Sequence, residues 1–590
     1  MKLSDYIVSY FETQGIDVIF GYIGGMITHI VDSISHNEQI KFIQTYHEQT
    51  AAIAAEGYAR ESGKFGVAIS TSGPGVTNMI TGIADAYFDS IPVIYITGQV
   101  NTYEYKYAKP IRQQGFQETD VVSLVKSITK YAKLIDKAED IRYELEKSVY
   151  IATHGRKGPV LLDIPMNVQR AEINSDILCG YILEEEKTGT MDMDMDTDCI
   201  QKLLSDAKCP LLLLGAGCND TSIQDVITKF VSKTNIPVVT SLLGKGSIDE
   251  TYPYYIGMIG SYGNRCANMS IANSDLLIAL GTRLDTRQTG AQIDSFLKNG
   301  KIIHVDIDGN ELEYNRLKNR IKICSDIISF LNNTDYTRLQ LQDYTSWHKY
   351  LLKLKKNYDQ NNEIERFIEN KSPYKFIQML NQYINDNDVI IADIGQNQMW
   401  TAQTLQLKKG QRFVTSGGLA PMGFSIPASI GIAFASPDKN IFSISGDGGF
   451  HIAVQSLMLV SQYNLPVKII VMNNNALGMI TQFQHLYFDD RMVGTTKDGG
   501  YEVPDIKNIA EAYKLSYFKI TEDNLSNKLL LDNIFSSINC IIEYQINGLT
   551  TVSPKLEFDK PIDKPTPLLS DEEQKMNIID DIQEQCYYKN

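Results

Sequence analysis

Two stretches of this chain are built to one plan, and that plan restricts the fold more than any other feature. "VAISTSGPGVTNMITGIADAYFDSIPVIYITG" begins at Val67 and "IFSISGDGGFHIAVQSLMLVSQYNLPVKIIVMNN" at Ile441. Each reads apolar run, glycine loop, helical stretch, proline, apolar run. Gly73 and Pro92 are nineteen residues apart, Gly446 and Pro466 twenty. Short apolar runs alternating with helical stretches specify parallel strands joined by crossover helices. Successive units of that kind build a sheet with helices on both faces. The repetition is open to two readings: the common look of doubly wound domains, or two related domains that build one site between them.

The rhythm recurs along the chain and predicts an α/β protein of three doubly wound domains with mainly parallel sheets. Residues 1–182 carry strands at "IDVIFGY", "FGVAIST", "IPVIYITG" and "GPVLLDIP". An acidic linker, 183–198, contains "EEEKTGTMDMDMDTD", a composition that suits a solvated connector. Residues 199–335 carry "CPLLLLGAG", "IPVVTSLLG", "DLLIALGTRLD" and "KIIHVDID"; a polar helical connector fills 336–372. The third domain, 373–550, carries "DVIIADIG", "NIFSISGDGG", "VKIIVMNNN" and "NCIIEYQI", and a Pro- and charge-rich tail follows at 551–590.

Bulk properties remove several function classes. A length of 590 residues provides for about three to four domains. A net charge of −16 without a Lys/Arg block argues against nucleic acid as a partner. Apolar runs such as "PLLLLGAG" are too short to span a bilayer. The first residues read as an amphipathic helix and a strand, not as a signal peptide. Eight cysteines contain no CxxC pair, so neither zinc nor a disulfide framework is indicated, and a cytoplasmic location is expected.

The second copy of the plan carries the chemistry. Its glycine loop, Gly446-Asp447-Gly448-Gly449, holds one acid, and Asn473-Asn474-Asn475 ends the next strand. Ligands of parallel sheets bind beyond the carboxyl ends of the strands. One right-handed crossover makes those two ends neighbours, so the Asp447 carboxylate and the asparagine amides converge. Hard oxygen donors suit Mg²⁺, which keeps positions open for phosphate oxygens. Glycines let backbone amides approach those phosphates. An isolated GDG is usually a turn; GDG, twenty-four residues and then NN is far more specific.

This segment resembles the signature of the thiamine diphosphate (ThDP) enzymes, and the resemblance, extending to about residue 550, is nearest to the acetolactate synthase catalytic subunit. It implies Asp447, the Asn474 side chain and the Ala476 carbonyl as Mg²⁺ ligands, with Gly448 and Gly449 beside the diphosphate. "YHEQTAAIAAEGYAR" places Glu48 as the glutamate that activates the cofactor. Held against the aminopyrimidine ring, such a carboxylate favours the imino form, which removes the thiazolium proton and prepares ThDP to accept the electrons left by CO₂ loss. Without the resemblance Glu48 reads as a surface helix residue.

"GFQETD" resembles the segment that sets Phe116 and Gln117 beside the reacting carbon. "ADIGQNQMW" implies Gln396 and Asn397 near the diphosphate, and "GGLAPMGFSIPA" implies Gly418 and Met422, the latter bending the cofactor. Met479 and Phe483 of "NNNALGMITQFQHLYF" would line the acceptor pocket; by themselves Phe116, Met422, Met479 and Phe483 read as core. The middle domain resembles the synthase's FAD-binding segments, implying contacts from Arg156, Gly215, Leu243, Gly260, Arg283, Asp306 and Asp326, with no net redox role for the flavin. Arg287 matches the arginine that holds the acceptor's carboxylate, a task suited to a guanidinium fork; the alternative is a surface ion pair.

Departures concern the acceptor. Phe483 stands where the usual synthase has tryptophan, Met166 where it has lysine, and Asn397 where it has histidine. The loop "NTYEYKYAKPIRQQ" is longer and bears Tyr103, Tyr105, Tyr107 and Arg112. It reads equally as a contact for a larger acceptor or as an ordinary rim loop. The tail looks more like ThDP enzymes of surface-sugar pathways. The reading is therefore a carboligase that takes CO₂ from pyruvate, a 2-oxo acid, and passes the acetyl unit to a carbonyl acceptor. A second pyruvate is the simplest acceptor and a nucleotide-activated keto-sugar the alternative; a plain decarboxylase, a flavin oxidase or a non-catalytic subunit are weaker readings. The family implies a homodimer or homotetramer with sites between subunits.

Overall fold

A computed structural model describes residues 1–182, 197–298, 300–333 and 342–577. The expected acidic linker lies outside the described residues apart from its last two positions, as does the end of the tail.

Among the described residues eighteen strands form three six-stranded sheets in which each strand pairs parallel with its neighbours. The N-terminal unit holds β1 (Val18–Tyr22), β2 (Lys41–Gln44), β3 (Gly66–Ser70), β4 (Val93–Gln99), β5 (Tyr131–Leu134) and β6 (Val160–Pro165), in the order β2-β1-β3-β4-β6-β5. The central unit holds β7 (Pro210–Leu214), β8 (Val238–Thr240), β9 (Tyr255–Met258), β10 (Leu276–Leu280), β11 (Lys301–Asp306) and β12 (Arg320–Cys324), in the order β12-β11-β10-β7-β8-β9. The C-terminal unit holds β13 (Val389–Ala392), β14 (Arg412–Val414), β15 (Ile441–Gly446), β16 (Val467–Asn473), β17 (Tyr517–Ile520) and β18 (Cys540–Gln545), in the order β14-β13-β15-β16-β18-β17. The first and third orders are the same when counted within each unit, so the shared plan is a shared topology.

The twelve apolar runs legible in the sequence are the four inner strands of each sheet. The six strands that escaped are the six edges: β2, β5, β9, β12, β14 and β17. An inner strand of a parallel sheet is covered on both faces and reads as a continuous apolar run. An edge need not be: β12, Arg320–Cys324, is only half-buried at every position, although β9 is buried throughout.

The N- and C-terminal units share one core. Helix Glu48–Ser62 packs on helix Ser425–Ala435, and Gly57 and Gly431 permit the contact. A Cβ on Gly57 would lie 2.3 Å from the Ala428 carbonyl oxygen, and one on Gly431 would lie 1.8 Å from that of Ala54. Backbones at this separation leave room for hydrogen only. The expected connector also packs: Trp347, Tyr350, Leu351 and Leu354 are buried in the core of the central unit. The tail turns back onto that unit through Leu556, Ile562 and Leu569. Buried Arg265 pairs with buried Glu363 and donates to the carbonyls of Pro565 (2.9 Å) and Pro567 (2.8 Å). Among the described residues no helix is long and apolar enough to cross a membrane.

Candidate active site

The sheet of the C-terminal unit brings the sequence-distant acid and amides together. In the β15–β16 pair Gly446 sits opposite Met472, which places Asp447 beside Asn473 at the carboxyl edge. Asp447 opens the short helix Asp447–Ile452 and is 2% exposed. Asn474 donates its amide N–H to Thr550 Oγ1 (2.9 Å) and turns its amide oxygen to Asp447 Oδ2 (3.2 Å) and the Ala476 carbonyl (2.8 Å), with no proton between the three oxygens. Carboxylate, amide and carbonyl thus surround one point, a donor set that fits a hard divalent cation. Burial pushes the Asp447 carboxyl up to about 6, against a 2.6 Å hydrogen bond from Tyr501 that favours its charged form. A cation beside it would restore full ionisation. Among the described residues no three His, Cys, Asp or Glu side chains form a metal cluster.

The glycines pack closely around this point. A Cβ on Gly448 would stand 2.7 Å from Leu477 Cδ2 and 3.0 Å from Met422 Cε, and one on Gly449 would stand 2.6 Å from Asp393 Oδ1. Asp393 is buried and accepts the backbone N–H groups of Gly423 and Ser425, both at 2.9 Å, which anchors the segment carrying Met422. Gln396 is buried; its amide nitrogen donates to the Thr550 carbonyl (2.9 Å), and its oxygen accepts from Thr550 Oγ1 (2.5 Å). Asn397 is turned inward to the carbonyls of Asp393 (2.8 Å) and Ile444 (3.4 Å). Met479, which opens toward Phe483, accepts from Tyr262 Oη at 3.3 Å. Tyr501, Thr550 and Asp393 carry no local sequence signal and are visible only in three dimensions.

Glu48 occupies the corresponding edge of the N-terminal unit. It is the first residue of its helix and only 7% exposed, not the surface position its isolated sequence suggests. Asn78 donates to Glu48 Oε2 at 2.9 Å, and a Cβ on Gly75 would lie 3.3 Å from Oε1. Gln117 borders the same glycine loop, its Cβ 3.1 Å from where Gly73 would carry one, and it holds φ +62°. Phe116 next to it is 80% exposed, so within one chain it stays clear of this group. Phe116 is therefore no core residue.

The long loop is pinned by a residue the sequence did not single out. Buried Glu118 accepts the backbone N–H groups of Lys106 (2.7 Å), Gln114 (2.6 Å) and Gly115 (3.0 Å). Arg112 and Tyr103 are left exposed, whereas Tyr105 is buried edge-on against Tyr107. Tyr105 is thus removed from the residues free to meet an acceptor. Met166 caps β6 next to Asn167, whose amide oxygen fixes the start of this loop through the Thr102 N–H (2.8 Å).

A cavity of about 650 Å³ runs between all three units. Arg156, Leu243, Arg283, Arg287, Asp306 and Asp326 line it, as do Asp89, Phe413 and Gly417. Gly215 and Gly260 stand one residue behind the wall: a Cβ on Gly215 would meet the Gly281 carbonyl at 2.2 Å, and Gly260 adopts φ +113°. Arg156 is held by Asp308 (3.1 Å) and Glu311 (2.5 Å), and burial pushes Asp306 up to about 6. Size and mixed lining fit a dinucleotide. Arg287 forms no ion pair among the described residues; its guanidinium stacks 5.7 Å over the Tyr262 ring.

Comparison with known proteins agrees with this arrangement. Residues 1–124 match the model for the thiamine pyrophosphate enzyme N-terminal TPP-binding domain, 197–334 that for the central domain, and 393–534 that for the C-terminal TPP-binding domain. A probable acetolactate synthase large subunit of Methanocaldococcus jannaschii is 36% identical over 96% of this chain and 97% of its own. The acetolactate synthase large subunit of Lactococcus lactis is 36% identical over 88% of each chain. The Escherichia coli acetolactate synthase isozyme 2 large subunit is 34% identical over 94% of this chain and 97% of its own. Three matched domains in order, on three parallel sheets, make this chain a member of the thiamine diphosphate-dependent enzymes of the acetolactate synthase type.

Proposed function

We propose that this enzyme binds thiamine diphosphate and Mg²⁺, takes CO₂ from pyruvate and passes the remaining acetyl unit to a carbonyl acceptor. With a second pyruvate as acceptor the product is 2-acetolactate. The observation that carries this reading is the convergence of Asp447 Oδ2 and the Ala476 carbonyl on the Asn474 amide oxygen, at 3.2 and 2.8 Å. When bound, the cofactor supplies an electron sink for the pair left by the departing CO₂.

The remaining work falls to the chain. Asp447, Asn474 and Ala476 would hold the cation, and Gly448 and Gly449 leave room for diphosphate oxygens. Glu48, oriented by Asn78, holds or passes a proton at Oε2. Gln117 borders the reacting region, Met422 sets the cofactor's shape, and Gln396 and Asn397 line the diphosphate side. Arg287 offers two parallel N–H donors to an acceptor carboxylate, beside Met479 and Phe483.

Glu48 draws its hydrogen-bond partner from the N-terminal unit, and Asp447 and Asn474 draw theirs from the C-terminal unit. A homodimer or larger assembly, in which each site joins units of two chains, is part of this reading. The large cavity is assigned to FAD, bound without net redox change. Six free cysteines besides Cys209 among the described residues support a reducing, cytoplasmic setting.

The deciding experiment incubates purified protein with thiamine diphosphate, Mg²⁺ and pyruvate and follows products by NMR. Stoichiometric 2-acetolactate establishes the reaction. Absence of CO₂ release overturns it. CO₂ release with little acetolactate favours the second reading, transfer to a larger acceptor such as a nucleotide-activated keto-sugar, which the exposed Tyr103 and Arg112 of the long loop support.

A further inference from the structure

Helix Gly478–Tyr487 presents Met479, Phe483 and Tyr487 at intervals of four residues, so the three side chains form a strip along one face. At 1.5 Å per residue the strip is about 12 Å long. At its inner end Tyr262 donates to Met479 Sδ (3.3 Å) and carries the Arg287 guanidinium on its ring (5.7 Å). At its outer end Phe558, from the tail, meets the rings of Phe483 (6.3 Å) and Tyr487 (6.1 Å). The Lys555 ammonium lies over the same two rings, 5.9 Å from the centre of Phe483 and 5.6 Å from that of Tyr487.

Lys555 is fixed in place. It pairs with Thr566 through both backbone hydrogen bonds, 3.0 and 2.7 Å. Leu556, the next residue, is buried and donates its N–H to the Ser261 carbonyl (2.6 Å), while the Ser261 N–H donates to the Arg287 carbonyl (2.7 Å). One residue, Ser261, thus ties both cation-bearing segments to a common frame.

The ammonium rests on the Phe483 and Tyr487 rings and feels the charge of Glu557 only at a distance. Among the described residues it has no hydrogen-bond acceptor and no ion-pair partner. Glu557, the nearest acid in sequence, accepts instead from Thr566 Oγ1 at 2.8 Å. A half-buried lysine ordinarily finds a counter-charge or extends its head into water. Burial also pulls the Lys555 pKa down, an unfavourable balance that an incoming anion would reverse.

We propose that Lys555 is an acceptor-specificity residue whose ammonium binds a phosphate ester group of the carbonyl acceptor at the outer end of the aromatic strip. This rests on the carboligase reading above. Arg287, with its planar fork, suits a carboxylate at the inner end; a compact ammonium with three rotatable donors suits phosphate as a point charge. The length of the strip exceeds a three-carbon acid, so a phosphate at its outer end belongs to a longer acceptor.

The test uses the full chain loaded with thiamine diphosphate and Mg²⁺, with fructose and fructose 6-phosphate as probes that differ by one phosphate. Calorimetric titration measures binding of each probe without pyruvate; a second assay measures acetyl transfer to each from pyruvate. Wild type should prefer the phosphate ester at least tenfold in both. K555Q should lose the preference, K555R should keep most of it, and K564Q, at an exposed tail lysine, should match wild type. Equal binding of the two sugars to wild type, or an unchanged preference in K555Q, overturns the proposal. If wild type releases no CO₂ from pyruvate yet binds the ester in a Lys555-dependent way, the carboligase reading fails and the anion site stands.

Discussion

Asp89 accepts the backbone N–H of Gly418 at 2.8 Å across the boundary between the N- and C-terminal units. The same carboxylate accepts from Gly417 (3.2 Å) and pairs with Arg60 (2.7 Å). Asp85 reinforces the contact by accepting the Ser416 hydroxyl at 2.5 Å. The segment held this way lines the large cavity at Gly417 and leads within a few residues to Met422. A carboxylate of one unit therefore shapes the loop of another that carries Met422, proposed above as a cofactor contact. Replacing Asp89 by alanine leaves Arg60 paired with Glu56 (2.6 Å) but takes the acceptor from the Gly417 and Gly418 N–H groups. The expected loss is roughly 1–3 kcal/mol of stability, read as a lower urea midpoint together with weaker thiamine diphosphate binding. An unchanged midpoint would show that the contact is incidental.

Glu48→Gln keeps the shape of the side chain and the Asn78 contact but removes the titratable proton site. Turnover of pyruvate should fall by about 10²–10⁴, while cofactor binding, followed by fluorescence quenching, persists. Equal loss of binding would make Glu48 a binding residue and not a proton carrier.

Asp447→Ala and Asn474→Ala each remove one of the three converging oxygen-bearing groups. Thiamine diphosphate affinity in the presence of Mg²⁺ should drop at least tenfold in both, and EDTA should impose the same loss on wild type. If the variants bind the cofactor equally well with and without EDTA in the wild-type range, the cation lies elsewhere.

Asp163 tests the electrostatics of the N-terminal core. Burial pushes its carboxyl up to about 7, with partial relief from the Thr97 hydroxyl (2.7 Å) and the Gln99 amide (2.9 Å). A carboxyl raised on folding contributes its full stability below the unfolded pKa, near 4, and loses it as pH rises through about 7. Wild type should thus lose roughly 2–4 kcal/mol between those limits through this group. Asp163→Asn should flatten the pH dependence of thermal melting between pH 5 and 8. Parallel profiles for the two proteins would refute the assignment.

The sequence by itself determined the three parallel sheets through the twelve inner strands, because a strand covered on both faces must be apolar along its whole length. It also determined the meeting of Asp447 with the asparagines, since a glycine loop and a polar strand end one crossover apart are obliged to be neighbours. It did not disclose the edge strands, whose residues are mixed, half-exposed in Arg320–Cys324 yet buried in Tyr255–Met258. Nor did it disclose that Glu48 is buried, that Asn78, Thr550 and Tyr501 hold the site groups, or that Tyr105 turns inward. Those contacts join residues 30, 76 and 54 positions apart in sequence and carry no local periodicity. Only the tertiary structure set Lys555 on the strip with Phe483 and Tyr487. That placement depends on a tail anchored by Arg265 about 300 residues away, and such an anchor is decided by how the packed units close on one another.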